Sequence, residues 1–155
     1  DIAGAEAAFR RLLVRDPLNA QAHFRIGRIL ADRGDLTGAI GALERAAGLS
    51  PMTPSFHVAL ARAWLRTGRA AEGVRELRLA RRLTPADPES AFNLALGLAS
   101  AGQMQEAAAE LETAARLGFV EPQIFAAMAR VYGALGNTEK SLAAQAEFER
   151  RSRMP

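Results

Sequence analysis

Two histidines, His23 and His57, are the side chains of this 155-residue sequence best suited to acid–base or metal chemistry, and they stand 34 positions apart. If that interval is a structural period, the rings occupy equivalent places on successive elements and cannot converge on one ion. Each is then expected to pack with a satisfied ring nitrogen. Cysteine is absent, so no thiolate ligand, disulfide or cysteine nucleophile is available. No HExxH, nucleotide-binding glycine loop or paired-carboxylate arrangement occurs, and GALG at 133–136 reads as a helix end rather than a phosphate loop. The expectation is therefore no cofactor, no metal and no catalysis by the chain itself.

Arginine is the chemistry that remains. Nineteen of the 20 basic residues are arginine, with Lys140 the one lysine, and guanidinium forks suit carboxylates. The codon bias of a GC-rich genome would produce the same skew. In RELRLARRL, Arg75, Arg78 and Arg82 line one helix face with Arg81 beside it, a stripe that could meet phosphates. No aromatic residue interleaves there, and Glu72 and Glu76 break the charge, so the stripe reads as a solvated face and no nucleic acid is expected.

The elements that position these residues follow from an internal repeat. Gly34, Gly68, Gly102 and Gly136 recur every 34 residues, as do Pro17, Pro51 and Pro85, and Ala46, Ala80 and Ala114. A period of this length signals helix-turn-helix units, and the segments are rich in Ala, Leu, Glu and Arg at helical spacing. Each glycine suits the left-handed residue that closes a first helix, and Pro51 and Pro85 stop the second. Thr53-Pro54 and Asp87-Pro88 offer an N-cap oxygen followed by proline at the first helical position, with Glu121-Pro122 a poorer version. The predicted helices are 20–33, 37–49, 54–67, 71–83, 88–101, 105–117, 122–135 and 138–151. Small residues mark the seam between paired helices: Gly27, Ala61, Ala95 and Ala129 on the first, Ala39, Gly73, Ala107 and Ser141 on the second. Leu43, Leu77 and Leu111 form one of the large layers around it, and Leu30, Trp64, Leu98 and Tyr132 another.

These residues resemble the tetratricopeptide repeat family. The likeness rests on Ile26-Gly27, Leu60-Ala61 and Leu94-Ala95, a leucine or aromatic residue further along the helix, the turn glycine, and then the alanine, leucine, alanine and proline slots. Departures are His23, His57, Ala91 and Phe125 where the family often has tryptophan, Gln145 where a large apolar residue is usual, and Phe119 in place of proline. The resemblance implies an all-α fold, a right-handed α-α superhelix or solenoid of helix-turn-helix repeats, serving as a protein–protein interaction scaffold. The expected organisation is one solenoid domain over 1–155. A half repeat at 3–17 keeps only its second helix, and four repeats follow at 20–51, 54–85, 88–119 and 122–152, the whole an excerpt of a longer array.

On the first helices, steps of three and four residues pick out a second face that the seams do not need, expected on the concave side of the superhelix. Phe24, Val58, Leu65, Phe92 and Leu96 give it apolar ground, and Arg28, Arg62 and Arg130 give it guanidinium forks. The implied partner is a protein or peptide segment with acidic groups and apolar anchors. Packing of Phe24 and Phe92 between adjacent units is the alternative for those two rings. The family's carboxylate clamp of lysines and asparagines lacks its residues, since only Arg62 and Asn93 lie near the slots and Gln123 and Ala127 replace the rest. The asparagine ladder of other relatives is reduced to Asn93, with Arg25, Ala59 and Ala127 at its equivalents. Other readings of function are an accessory repeat domain of a larger enzyme or cell-envelope assembly protein, and self-association through residues 3–15. No apolar run of 18 residues occurs, so no membrane span is expected, and compartment is left open.

Overall fold

Glycine closes the first helix of every repeat in the computed structural model, which describes residues 2–153. Gly34, Gly68, Gly102 and Gly136 have φ between 73° and 88°, and among the described residues no other residue type takes positive φ. The next residue then donates its N–H five residues back, as Asp35 does to the Leu30 carbonyl at 2.9 Å, satisfying a carbonyl the helix leaves orphaned. Gly118, φ 98°, does the same at the end of a second helix, and Phe119 donates to the Ala114 carbonyl at 2.9 Å. Proline has no N–H to give. Phe119 thus stands where proline would be expected because this turn is closed by glycine instead.

The outermost parts of the expected 1–155 domain, residue 1 and residues 154–155, lie outside the described residues, as does the Ala3 side chain where the self-association flank was placed. The described residues are all-α, and they form two compact units, 1–83 and 84–155.

The first unit holds α1 (Ile2–Arg15), α2 (Ala20–Asp32), α3 (Leu36–Leu49), α4 (Pro54–Arg66) and α5 (Ala70–Leu83). Helix α2 pairs with α3 and α4 with α5, while α1 packs on α2 and α3 on α4. Asn19 and Asp35 cap α2 and α3 through their side chains, signals that the sequence reading passed over. Thr53, expected to cap α4, makes no such bond; Pro54 already fixes the entry and leaves one fewer N–H to satisfy. In the α2–α3 seam a methyl on Gly27 would stand 2.6 Å from Leu43 Cγ, so any side chain there would force a shift. Leu43, Phe56, Leu60 and Trp64 share the core, with the Arg69 guanidinium 4.1 Å from the Trp64 ring centroid. Glu6 of α1 accepts from Arg10 and from Arg33, each at 2.7 Å, which ties α1 to the end of α2. The Arg10 hydrogen bond, with Arg33 adding to it, holds the Glu6 carboxyl below the usual carboxylate range. Part of the α1 flank stays open: Leu12 and Val14 are exposed.

Both histidines answer the expectation of a satisfied ring nitrogen, and by one device. His23 Nε2 lies 2.9 Å from the Pro17 carbonyl and His57 Nε2 2.8 Å from the Pro51 carbonyl, so each ring anchors the proline that ended the preceding helix. His57 alone has a second partner, since its Nδ1 lies 2.8 Å from Glu76 Oε2 of α5 and both side chains are buried.

The second unit holds α6 (Pro88–Ser100), α7 (Met104–Arg116), α8 (Pro122–Ala134) and α9 (Thr138–Ser152). Helix α6 pairs with α7 and α8 with α9, and α7 packs on α8. Asp87 caps α6 as expected, accepting from Ser90 N at 2.8 Å. Leu98, Leu111 and Ile124 are fully buried, and Ser141 in the seam donates to the Ala129 carbonyl at 2.8 Å. Arg151 fastens the end of α9 by donating to the Val120 carbonyl at 2.9 Å, with its guanidinium 4.7 Å from the Phe125 centroid.

The hydroxyl of Tyr132 donates to Glu112 Oε1 at 2.7 Å, and Lys140 Nζ donates to the same oxygen at 2.9 Å. Burial first, then the Glu112 carboxylate, push the Tyr132 phenol above its ordinary value of 10.0. Its un-ionised form is therefore favoured by folding, a contribution present below pH 10 and lost as pH rises through the folded value. Conversely the Tyr132 hydrogen bond, then Lys140, hold Glu112 below 4.5, so its contribution is present above that pH and lost on acidification through the lowered value. Tyr132 is the one tyrosine of the chain, so tyrosinate absorbance reads it alone. Its midpoint should lie above 10, and Glu112→Gln should lower it only part of the way because burial persists. A folded-state midpoint at or below 10 would refute the coupling.

Candidate functional site

In the first unit the first-helix face is carried by α2 and α4, and in the second by α6 and α8. Phe24 is buried rather than displayed: its ring stacks on Phe56 of α4 at 4.7 Å between centroids, 28° from parallel. What it presents outward is a floor for Arg28, whose guanidinium lies 5.8 Å from the ring centroid while the side chain remains exposed. Val58 and Leu65 on α4 are half-buried, and Arg62 is exposed. Leu65 lies against α5, where a methyl on Gly73 would meet Leu65 Cγ at 2.8 Å.

Phe92 in the second unit is likewise buried, stacked on Phe119 at 4.5 Å and 18°. Leu96 and Arg130 come together there on the lining of one cleft of about 440 Å³, to which Phe92 does not contribute. A further cleft, of about 520 Å³ in the first unit, is lined by Phe9, Gln21, Arg25, Arg28, Ile29 and Asp32, joining Arg28 and Gln21 of the expected face to residues off it.

Charge separates the units in a way that the whole-chain value of +3 conceals. Residues 1–83 carry 14 arginines against eight acids, a net +6, and residues 84–155 carry six basic residues against nine acids, a net −3. Part of that negative charge is tied up: hydrogen bonds from Arg150 and Arg151 hold Glu147 down to about 2.

Among the described residues no three His, Asp or Glu side chains are placed to hold a metal ion, and no helix is long and apolar enough to cross a membrane.

A sequence profile of the tetratricopeptide repeat matches residues 1–52 and 32–88. Among curated protein sequences there is no significant match. Solved structures share the fold. A crystal structure of MamA, 18% identical, has a TM-score of 0.89 over 98% of this chain and 89% of its own. MamA from residue 41 to its end, from Desulfovibrio magneticus RS-1, is 14% identical with a TM-score of 0.90 over 98% and 86%. YrrB, described as a tetratricopeptide repeat protein with an unusual peptide-binding site, is 19% identical with a TM-score of 0.83 over 95% and 76%.

Proposed function

Since the chain belongs to the tetratricopeptide repeat family, whose members are protein-interaction scaffolds, we propose that it holds a peptide segment of a protein partner on its first-helix faces and performs no catalysis of its own. The reading has Arg28, Val58, Arg62 and Leu65 contact the partner in the first unit and Leu96 and Arg130 in the second, with the buried Phe24 and Phe92 beneath them as supports. The observation that carries it is Arg28, held exposed over the Phe24 ring on a unit of net charge +6. A guanidinium braced on an aromatic face loses less freedom when it engages a carboxylate, which favours binding over leaving it in water. The description of YrrB as having a peptide-binding site supports the same class of ligand.

Reversing both charges, Arg28→Glu with Arg62→Glu, should remove acidic partners from affinity capture of the native lysate by about tenfold or more, as like charges then face each other. Helicity by circular dichroism should not change, because both side chains are exposed. Undiminished capture in quantitative mass spectrometry would reject the proposal.

A further inference from the structure

The repeats do not fill their seams equally. Leu65 of α4 packs into the seam with α5, close to Gly73. One period later its slot holds Ala99, and the slot of Gly73 holds Ala107, which is fully buried. Ala99, three carbons smaller than leucine, forms part of the wall of the cleft of the second unit. Its floor is Ala95, Leu111, Ala127 and Val131, each at most 3% exposed. Leu96, Ala99 and Met104 are half-buried along its sides, and Ser100 and Arg130 are exposed at its mouth.

The polar chemistry of that mouth reduces to one group. The Ser100 hydroxyl already donates to the Leu96 carbonyl at 2.9 Å. Arg130 makes no ion pair among the described residues, and no acid lines the cleft. The unit's excess of acids lies off the lining. Beside apolar walls a guanidinium, weakly hydrated and forked, is matched by a carboxylate.

We infer that this cleft seats one aliphatic side chain of the partner peptide, leucine, isoleucine or methionine, while Arg130 takes the carboxylate of an acidic residue next to it in that peptide. The inference rests on the peptide-scaffold reading and names the anchor it uses in the second unit. An aliphatic anchor fits better than tyrosine or tryptophan, whose O–H or N–H needs an acceptor once buried; the floor is hydrocarbon side chain throughout. The size falls in the range of ordinary ligand sites, and the open mouth lets a chain run past while one side chain points inward.

The test uses the ¹⁵N-labelled chain titrated at millimolar concentration with Ac-Gly-Ser-Leu-Glu-Ser-Gly-amide and with its Gln-for-Glu counterpart. Amide shifts should concentrate at residues 95–100 and 127–131, with the Gln peptide weaker by about threefold to fivefold. Arg130→Gln, an exposed change that leaves packing alone, should equalise the two peptides. Ala99→Leu, which restores the side chain carried by the preceding repeat, should abolish binding of both while the amide spectrum stays folded. Shifts elsewhere, no shifts at all, equal affinities for the wild type, or binding undisturbed by Ala99→Leu would overturn the assignment. Hexanoate binding as tightly as the Glu peptide would give the cleft to small carboxylic acids and overturn it too. Shifts on α2 and α4 alone would sink the cleft and spare the scaffold reading, which the lysate capture decides separately.

Discussion

Glu76→Ala should lower the stability of the first unit by about 3 kcal/mol, because it leaves a buried imidazole nitrogen with nothing to bond. Two acceptors face the two nitrogens of His57, the Glu76 carboxylate at Nδ1 and the Pro51 carbonyl at Nε2. Both side chains are buried, and alanine removes the group that bonds Nδ1. Glu76→Gln keeps an acceptor of the same shape and should cost roughly half as much. Arg75 reaches Glu76 at 3.6 Å from an exposed position and contributes little, since solvent screens it. Trp64 is the one tryptophan and sits in the same core, so its fluorescence reports urea unfolding of this unit directly. Leucine at both 57 and 76 should come closer to wild type than Glu76→Ala does, as apolar replacement of a buried pair often is. A Glu76→Ala protein within about 1 kcal/mol of wild type would mean that the contact is neither dry nor needed.

That pair marks where sequence reasoning stopped. The period fixed the seams and put helix ends within a residue or two, since glycine and proline act on their own backbone and need no distant partner. His57 and Glu76 are 19 residues apart on successive helices, and their meeting depends on how the two helices roll against each other. A signal existed: at the slot of Glu76 the first repeat has Ala42, so a histidine and an acid coincide in the second repeat and not in the first. Counting along their own helices puts Phe24 and Phe92 on an open face and leaves packing between units as the alternative. Their burial is set by Phe56 and Phe119, at slots where neighbouring repeats carry Ala22, Ser90 and Pro85. Gly118 closes a turn one residue after the slot that holds Leu83 in the preceding repeat, and its effect on Phe119 is visible only in the hydrogen bonds. The cleft has Ala99 in its wall where the preceding repeat carries Leu65, and a smaller side chain leaves no motif.

Leu43→Ala should cost the first unit about 3 kcal/mol, and its combination with Gly27→Ala should cost less than the two changes summed. Leu43 is 1% exposed, so truncation leaves a cavity that its neighbours close incompletely. Gly27→Ala alone gains about 1 kcal/mol of helix propensity but places a methyl 2.6 Å from Leu43 Cγ and 3.2 Å from the Ala39 carbonyl. Leu43 is too enclosed to swing aside, so strain should exceed the gain by about 1 kcal/mol. Once Leu43 is alanine the same methyl enters the space vacated, and strain turns into filling. Gly73→Ala is the control: its methyl would meet Leu65 Cγ at 2.8 Å and the Ala61 carbonyl at 3.1 Å, but Leu65 is half-buried and can shift, so the propensity gain should roughly offset the strain that remains and the change should be close to neutral. Gly41→Ala, with nothing within 4 Å, should stabilise by the propensity difference alone. One substitution at three glycines thus has three signs, set by what stands opposite each. Strict additivity of Gly27→Ala and Leu43→Ala in urea unfolding followed by Trp64 fluorescence would show that the two groups do not compete for one space, and the close approach of α2 to α3 would need another cause.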